Sequence, residues 1–433
     1  MPDQRKTSSD RRPWAWIPSL YFGQGLPYVV VMTLSVIMYK NLGLSNTEIA
    51  LYTSWLYLPW VIKPLWSPLI ELLGAKRGWI VALQFLIGAT LALVALSIPG
   101  PRSFQMTLAM FWLMAFASAS HDIAADGFYM LALPQRSQAA FVGVRSTFYR
   151  LANIGGQGGL VYLAGELQER TGSMQQAWTM VFFLLAGIFL LLGSYHHLML
   201  PRPASDLVAQ TRRGGNELWR DFIEVFAEFF RKPGIAVIIG FLLLYRFPEA
   251  QLLKLATPFL LDPATAGGLG LSTKQVGIAY GTVGLIALTL GGLLGGWVIS
   301  RIGLKRALWP LILLMHVPNI MFLLMALGRP SDLALISAAL AVEQFGYGLG
   351  FTAYLMFMIL VADGEHKTAH YAICTGFMAL GMMIPGMWSG WLQQQLGYTM
   401  FFAWVMVATL PSFGLAALIK IPADFGKKTE PDE

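Results

Sequence analysis

Two aspartates interrupt an apolar stretch of the sequence, where ionisable side chains are costly. Asp122 and Asp126 are four residues apart, so a helix through this stretch places both carboxylates on one face. Neighbouring carboxylates repel one another, and such a pair therefore binds a proton more readily than an isolated carboxylate does. The pattern predicts a reversible proton-binding site. The alternative is that each aspartate pairs with Arg145 or Arg150, and the two interpretations are compatible because ion pairs at coupling sites rearrange.

A second apolar stretch contains Arg145, Tyr149 and Arg150, and the glycine-rich run 155–159 follows. Glycines on a helix surface permit close approach of a neighbouring helix. Arginine stays charged and holds a carboxylate through two parallel hydrogen bonds. We predict that Arg150, Tyr149 and Arg145 bind an anionic group of a solute. For Arg145 the alternative is a position at the end of the helix, with the side chain extended towards water.

Three charged residues surround a proline at 245–254, Tyr-Arg-Phe-Pro-Glu-Ala-Gln-Leu-Leu-Lys. Pro248 frees a backbone carbonyl and lets a helix bend. Charge beside a bend in an apolar helix is typical of solute sites in carriers. We therefore predict that Arg246, Glu249 and Lys254 bind the solute. The alternative is a structural kink held by an ion pair between Arg246 and Glu249.

Glu343 opens the glycine-rich part of a further apolar stretch, and no cation lies near it in sequence. A carboxyl without a partner in such surroundings retains its proton, so we predict Glu343 as a second proton-coupling residue beside Asp122 and Asp126. His316, in another apolar stretch, is expected to be a hydrogen-bonded packing residue.

The sequence lacks the motifs of an enzyme, a nucleotide-binding protein or a metalloprotein. There is no His-Glu-x-x-His pair and no phosphate-binding Gly-x4-Gly-Lys-Ser/Thr loop. The pair His196-His197 has no third ligand, and the single cysteine, Cys374, excludes an intrachain disulfide. We expect no catalytic residue, no metal and no cofactor.

The composition requires a lipid environment for the helices that carry these residues. The 433 residues are 56% hydrophobic and 12% charged, whereas soluble domains carry about 25% charged residues. A helix crosses the hydrocarbon core with about 20 apolar residues. We predict an all-α membrane protein with twelve transmembrane helices in two six-helix halves. The predicted spans are 14–39, 48–70, 78–98, 104–130, 139–165, 176–198, 233–261, 274–299, 306–326, 331–361, 369–395 and 398–420.

A long polar stretch divides these spans six and six. The predicted organisation is an N-terminal half at 1–200, a cytosolic linker at 201–232 and a C-terminal half at 233–433. In the linker, apolar residues from Leu218 to Phe229 recur at helical spacing among charged ones, which predicts an amphipathic helix on the membrane surface. Kinks are predicted within the spans at Pro248, Pro258 and Pro385.

The placement of lysine and arginine predicts the orientation. With both termini in the cytoplasm, 20 of the 30 cationic residues lie in inner segments and 5 in outer loops, the asymmetry of the positive-inside rule. The net charge of +7 is therefore a topology signal, and we expect no nucleic-acid partner. The polar N-terminal segment does not have the pattern of a cleavable signal peptide.

Two short basic turns stand at equivalent positions of the two halves, Gly-Ala-Lys-Arg at 74–77 and Gly-Leu-Lys-Arg at 303–306. Matching turns indicate parallel repeats. Both turns resemble the conserved loop of the major facilitator superfamily. The resemblance implies the fold of that superfamily, with a central cavity between the halves that opens alternately to each side of the membrane.

Three further runs narrow the resemblance. Residues 118–128, Ser-Ala-Ser-His-Asp-Ile-Ala-Ala-Asp-Gly-Phe, resemble a paired-aspartate motif of the peptide, acetyl-CoA and drug transporter family, particularly its AmpG-like permease branch. The runs 149–156 and 343–353 are similar to that family's Gly-Tyr-Arg-Leu-Gly and Glu-Asn-x-x-Gly-Gly-Met-Gly-Thr-Ala runs. In members of the branch, the second aspartate is followed by an aromatic residue and then by Lys-Thr-Asp. At the corresponding positions this chain has Tyr-Met-Leu-Ala, residues 129–132.

These observations predict a secondary active transporter, and no enzyme. The expected process is symport of protons with a polar anionic or zwitterionic solute across the bacterial inner membrane, by a monomer with both termini in the cytoplasm. The resemblance implies a muropeptide or peptide-like solute and import. The alternatives are a siderophore or drug permease of the same fold and, as a different class, a non-transporting membrane sensor.

Overall fold

The computed structural model describes residues 13–72, 75–133, 135–203, 206, 215–364 and 366–427. Within these ranges the regular structure is helical throughout. Apolar runs without nearby water form helices because a helix satisfies its backbone hydrogen bonds internally. The all-α class predicted from the composition is confirmed.

The first group of helices precedes the long polar stretch, and two π-helical turns, Val30–Leu34 and Gly155–Leu160, join members of the group. The helices are α1 (Pro13–Val29), α2 (Ser35–Asn41), α3 (Asn46–Trp55), α4 (Leu58–Leu72), α5 (Lys76–Ser97), α6 (Ser103–Ala132), α7 (Gln135–Ile154), α8 (Val161–Thr171) and α9 (Met174–Met199).

The second group begins with a helix in the predicted linker. A π-helical segment, Gly277–Gly284, and two 3-10 turns, Ala264–Ala266 and Val317–Asn319, lie among its members. The helices are α10 (Gly215–Phe230), α11 (Ile235–Leu244), α12 (Phe247–Leu261), α13 (Thr273–Val276), α14 (Leu285–Ile302), α15 (Leu304–His316), α16 (Ile320–Gly328), α17 (Leu333–Ala362), α18 (Lys367–Val407) and α19 (Leu410–Leu418).

Nine helical segments of the described part of the chain are long and apolar enough to cross a membrane. The longest, Ala369–Leu418, covers the last two predicted spans, and Gly397 interrupts it with a left-handed φ of 72° at the predicted boundary. The predicted spans 48–70 and 139–165 are also helical but are not among the nine, so the count of twelve stays a prediction.

A kink is predicted at each of three prolines, and one of these prolines stands at a break between two helices. The break predicted at Pro248 is present, because α11 ends before Tyr245 and α12 begins at Phe247 with Pro248 in its first turn. This is the helical position that tolerates the missing N–H of proline. In contrast, Pro258 and Pro385 lie inside α12 and α18, which continue through them. The kinks at Pro258 and Pro385 stay predictions.

The linker helix α10 packs against α18 at one end of the bundle. Phe229 is fully buried, with its ring stacked on that of Phe377 at 6.2 Å between centroids. His370 of α18 lies 3.2 Å from the carbonyl oxygen of Val225. A helix is therefore present where the amphipathic pattern predicted one, although the side chains of 215–219, Asp221 and Phe222 lie outside the described set.

Candidate functional site

Asp122 of α6 pairs with a lysine that the predicted site did not include. The Lys63 ammonium nitrogen lies 3.6 Å from Asp122 Oδ2, and the indole N–H of Trp60 donates to the same oxygen at 3.2 Å. Both partners come from α4. The proposed partners for this aspartate, Arg145 and Arg150, do not form its ion pair.

Asp126, one helical turn further along α6, pairs with Arg145 as the alternative interpretation proposed. Arg145 Nη2 lies 2.9 Å from Asp126 Oδ1, and the Tyr21 hydroxyl donates to the same oxygen at 3.3 Å. The guanidinium also lies over the rings of Tyr21 and Tyr129, 4.6 and 5.3 Å from their centroids. The side chains of Asp126 and Arg145 remain 38% and 30% exposed, so this ion pair is accessible from outside the packed core.

Arg150 occupies a different position from Arg145. Its side chain is exposed, and its guanidinium lies beside Gly292 of α14, on the opposite half of the chain. No carboxylate of the described residues lies within ion-pair distance of Arg150. Tyr149, next to it, is half-buried, and its backbone and ring pack against Gly25 of α1.

Arg246 is 8% exposed at the break between α11 and α12. Its guanidinium donates to the Tyr347 hydroxyl and lies over the Phe351 ring, 4.7 Å from the centroid. The predicted ion pair with Glu249 is not formed among the described residues; the alternative of a kink held by that pair is therefore wrong for this conformation. Arg246 immediately precedes α12 and contacts Tyr347 of α17. Glu249, in contrast, lies in the first turn of α12 and contacts His316 of α15.

Lys254, two turns further along α12, extends from the C-terminal half into the N-terminal half. Its ammonium group donates to Thr53 Oγ1 at 2.8 Å and lies over the Tyr57 ring at 5.3 Å. The residue is 5% exposed and forms no ion pair with any described carboxylate. The two buried cations of the second half, Arg246 and Lys254, are thus held by hydroxyl groups and aromatic faces.

Glu249 and Glu343 are both fully buried. His316 Nδ1 lies 2.7 Å from Glu249 Oε1, and the Asn319 amide donates to the same oxygen at 3.1 Å. Glu343 accepts a hydrogen bond from Gln344 at 2.9 Å. His316 is hydrogen-bonded, as expected, although its partner is a carboxylate.

The contacts reveal four residues around the central charges that sequence reasoning missed, namely Thr53, Tyr57, Trp60 and Lys63. For Lys63 a signal was available, because it is a charged residue in the apolar span 48–70 just as Arg246 is in its span. For Thr53 and Trp60 there was none. Tyr57 lies at the break between α3 and α4, and Pro59 in the first turn of α4 is a signal of that break which the sequence prediction did not use.

One end of the bundle is closed by a polar network between the halves, which we call the Lys40–Asp262 network. Lys40 Nζ lies 2.6 Å from Asp262 Oδ1, and Asn46 donates to Gln393 and Tyr398 at 2.8 Å each. The Tyr398 hydroxyl in turn donates to Asp262 at 2.6 Å. Nearby, Asn41 of the first half donates to Thr273 of the second at 2.9 Å, and Lys274 contacts Glu166 at 2.7 Å.

Glycines bring the halves into backbone contact beside this network. A Cβ added to Gly281 would lie 2.1 Å from the Gln157 carbonyl oxygen, and one on Gly390 would lie 2.1 Å from that of Asn46. Distances this short leave room for hydrogen only. The π-helical segments Gly155–Leu160 and Gly277–Gly284 therefore pack backbone to backbone.

The chain matches one family model and is similar to known proteins over most of its length. The family model of the Major Facilitator Superfamily matches residues 19–362. The anhydromuropeptide permease of Escherichia coli strain K12 is 26% identical over 413 residues, which covers 92% of this chain and 78% of the permease. A protein of Haemophilus influenzae is 27% identical over 405 residues, 90% of each chain.

Solved structures share the fold at low sequence identity. The nucleoside transporter NupG superposes with a TM-score of 0.70 at 16% identity, over 94% of this chain and 99% of that one. A D-xylose–proton symporter superposes with a TM-score of 0.66 at 15% identity, over 96% and 98%. The predicted major facilitator fold is confirmed, whereas the count of twelve helices and the bounds of the two halves stay predictions.

Proposed function

The chain belongs to the Major Facilitator Superfamily, and from this premise we propose that it carries a polar anionic or zwitterionic solute together with protons across the bacterial inner membrane. It is a multi-pass membrane transporter and not an enzyme. The solute class, the proton coupling and the cellular membrane are our proposal. A permease of siderophores or drugs is the alternative within the fold.

The observation that carries the proposal is the pair of buried cations Arg246 and Lys254. Placing one charged side chain at the centre of a bilayer costs about 2.5–3.5 kcal/mol on insertion scales. Among the described residues neither cation has a carboxylate partner, and Lys254 already reaches the opposite half through Thr53 and Tyr57. A solute anion bound between the halves would balance the charges of Arg246 and Lys254. It would thereby favour closure of the two halves around the solute.

Proton coupling is supported by carboxylates at which protonation changes a contact. Protonation of Asp126 would weaken the ion pair with Arg145, and protonation of Asp122 would release Lys63. Glu343 is buried without a cation in contact, so its charged form is disfavoured there. We propose these three residues as coupling sites. Tyr149, Arg145 and Arg150 remain proposed solute-binding residues.

Similarity to the anhydromuropeptide permease supports a muropeptide or peptide-like solute. Muropeptides and peptides carry carboxylates, which cationic side chains recognise. The tetrapeptide at 129–132 differs from the Lys-Thr-Asp run of the AmpG-like branch. Because of this difference, transport of a siderophore or a drug stays an alternative function. A non-transporting sensor has no support from the transporter relatives. We further propose a monomer with cytoplasmic termini, halves at 1–200 and 233–433, and a linker at 201–232.

Uptake of radiolabelled anhydromuropeptide into proteoliposomes tests this proposal. We expect accumulation in wild-type vesicles under an inward proton gradient, and its loss when the gradient is collapsed. Arg246→Lys should raise KM by about tenfold, equivalent to about 1.4 kcal/mol, because a lysine cannot hold a carboxylate bidentately. Arg170→Lys, at an exposed helix end, is the matched control and should leave uptake unchanged.

Accumulation that persists without a proton gradient would contradict the coupling, and unchanged KM in Arg246→Lys would contradict the assigned cation. Absence of uptake of this probe, with uptake of a ferric siderophore in its place, would support the alternative permease.

A further inference from the structure

Two irregular helix turns lie close together in the C-terminal half. The first is the break at 245–246 between α11 and α12, and the second is the 3-10 turn at 317–319 between α15 and α16. Glu249 lies in the first turn of α12, while His316 is the last residue of α15. Short 3-10 stretches within a helix often mark positions where the helix bends. The Glu249 carboxyl and the His316 imidazole therefore meet where two neighbouring helices are irregular.

The contacts of this pair leave half of its hydrogen-bonding capacity unused. His316 Nδ1 and the Asn319 amide both bind Glu249 Oε1, at 2.7 and 3.1 Å. Glu249 Oε2 and His316 Nε2 have no hydrogen-bond partner among the described residues, although both side chains are only 1% exposed. Buried polar atoms are almost always satisfied, so a buried acid and base with free atoms need a functional explanation.

The surrounding groups do not supply a permanent counter-charge to Glu249. Tyr245 of the helix break and Tyr347 and Glu343 of α17 interact electrostatically with Glu249, and none of the three is a cation. Arg246 is directed to the Tyr347 hydroxyl and the Phe351 ring. Among the described contacts of Glu249, His316 is the side chain that could balance a carboxylate charge, and it would do so only with a proton on both ring nitrogens.

We propose that Glu249 and His316 together form a proton-binding site of the C-terminal half in addition to Glu343, a role distinct from the solute binding assigned above to Glu249. The inference rests on the proposed function, since it adds a site for a proton that the transporter carries. With one proton the pair has no net charge, whether the proton resides on the carboxyl or on the imidazole. The proton comes from water on one side of the membrane and returns to water on the other, and only O–H and N–H bonds change.

Loss of this proton leaves the Glu249 carboxylate buried beside a neutral His316, so the pair has a net charge of −1. Arg246, three residues earlier in the chain, is the cation nearest in sequence, and a small rearrangement of the break would let it pair with Glu249. The arginine would then leave Tyr347 and any solute anion it held. Proton release and solute release are thereby linked at one side chain.

Infrared difference spectroscopy during a pH titration tests the site without any solute. Full-length protein in liposomes should show a pH-dependent carboxyl or imidazole signal that Glu249→Gln and His316→Asn each remove. Glu249→Asp should restore a carboxyl signal if the site requires an acid. The matched control is Glu228→Gln with His366→Asn, an exposed His–carboxylate pair at 3.6 Å, which should leave that signal intact.

Titration spectra of folded Glu249→Gln that equal those of the wild type would overturn the inference. Transport separates this result from failure of the proposed function. Glu249→Gln should lower gradient-driven uptake of anhydromuropeptide by about tenfold, equivalent to about 1.4 kcal/mol, and retain solute exchange. If the titration signal is present and wild-type vesicles take up no muropeptide, the solute proposal fails and the proton site stands. If wild-type uptake is proton-driven and the signal is absent, the site fails and the function stands.

Discussion

At the scale of single residues, the two aspartates of α6 have different surroundings. Asp122 is bound by Lys63 and the Trp60 indole, whereas Asp126 shares the more exposed Arg145. A partly exposed ion pair contributes less attraction than a buried one because water screens it. Water therefore screens the Asp126–Arg145 pair more than the Asp122–Lys63 pair.

We predict that Asp126→Asn and Asp122→Asn abolish accumulation against a gradient while solute exchange continues, because exchange involves no net movement of protons. Measurement compares gradient-driven uptake with counterflow in the same proteoliposomes. Glu224→Gln, on the exposed face of the linker helix, is the control and should retain both activities. Equal loss of uptake and exchange in Asp126→Asn would assign the aspartate to structure or solute binding instead of coupling.

The charged residues of the centre could be found from the sequence because each interrupts an apolar run, and the energetic cost of that placement is independent of the fold. Of their partners, the sequence indicated Arg145 for Asp126, and it did not indicate the others. The spacing of Arg246 and Glu249 favoured an ion pair on one helix, yet the contacts join Arg246 to Tyr347, about a hundred positions away, and Glu249 to His316. Partner choice depends on which helices are neighbours, and local spacing does not contain that information.

At the scale of helices, the close contact between the two π-helical segments determines how near the halves can come. Gly281 faces the Gln157 carbonyl at a distance that excludes a side chain, whereas a Cβ on Gly155 would meet nothing within 4 Å. The two glycines lie in corresponding segments and differ in this one respect.

Gly281→Ala should therefore hinder closure of the end that carries the Lys40–Asp262 network, and Gly155→Ala should not. Forcing a methyl group into such a contact costs about 1–3 kcal/mol. Measurement is the yield of a short thiol cross-link between Asn41→Cys and Thr273→Cys in a Cys374→Ser background. An unchanged yield in Gly281→Ala would show that the contact is not maintained in the closed state.

Apolar length and the pattern of breaks explain which helices the sequence could predict. Pro248 breaks its helix as expected, since it stands at the start of α12 where its missing N–H has no cost. The break at 56–57 carries the same signal, since Pro59 is the second residue of α4. The π-helical turns carry no comparable signal. Two of them, Gly155–Leu160 and Gly277–Gly284, are glycine-rich and pack against each other, which is a tertiary effect.

At the scale of the whole molecule, the two halves meet through the Lys40–Asp262 network at one end. They also meet between α4 and α18, where a Cβ added to Gly376 would lie 2.9 Å from the Val61 carbonyl oxygen. If the termini are cytoplasmic, as the cation distribution predicts, the network lies on the outer side. The described conformation is then closed outward.

Asp262→Asn should destabilise this outward-closed state, because Lys40 loses the charge that faces it at 2.6 Å. We expect a lower yield of the Asn41→Cys to Thr273→Cys cross-link and greater labelling of Thr273→Cys by a membrane-impermeant thiol reagent added outside. Asp363→Asn, in an exposed pair with Lys367 outside the interface between the halves, is the control. Labelling from the inside alone would contradict the proposed orientation.

The glycine contacts have a mechanical consequence. Where two surfaces interlock through side chains, one must lift out of the other before it can turn, and the motion has a high activation barrier. At Gly281 and Gly390 the opposing surfaces are backbone and the Ala50 methyl group, so rotation about this line displaces few side chains, the Thr282 hydroxyl beside Gly158 being one. The rate of alternation should then depend chiefly on breaking the hydrogen bonds and ion pairs of the Lys40–Asp262 network, whose charged side chains are 14% exposed and therefore only weakly screened by salt.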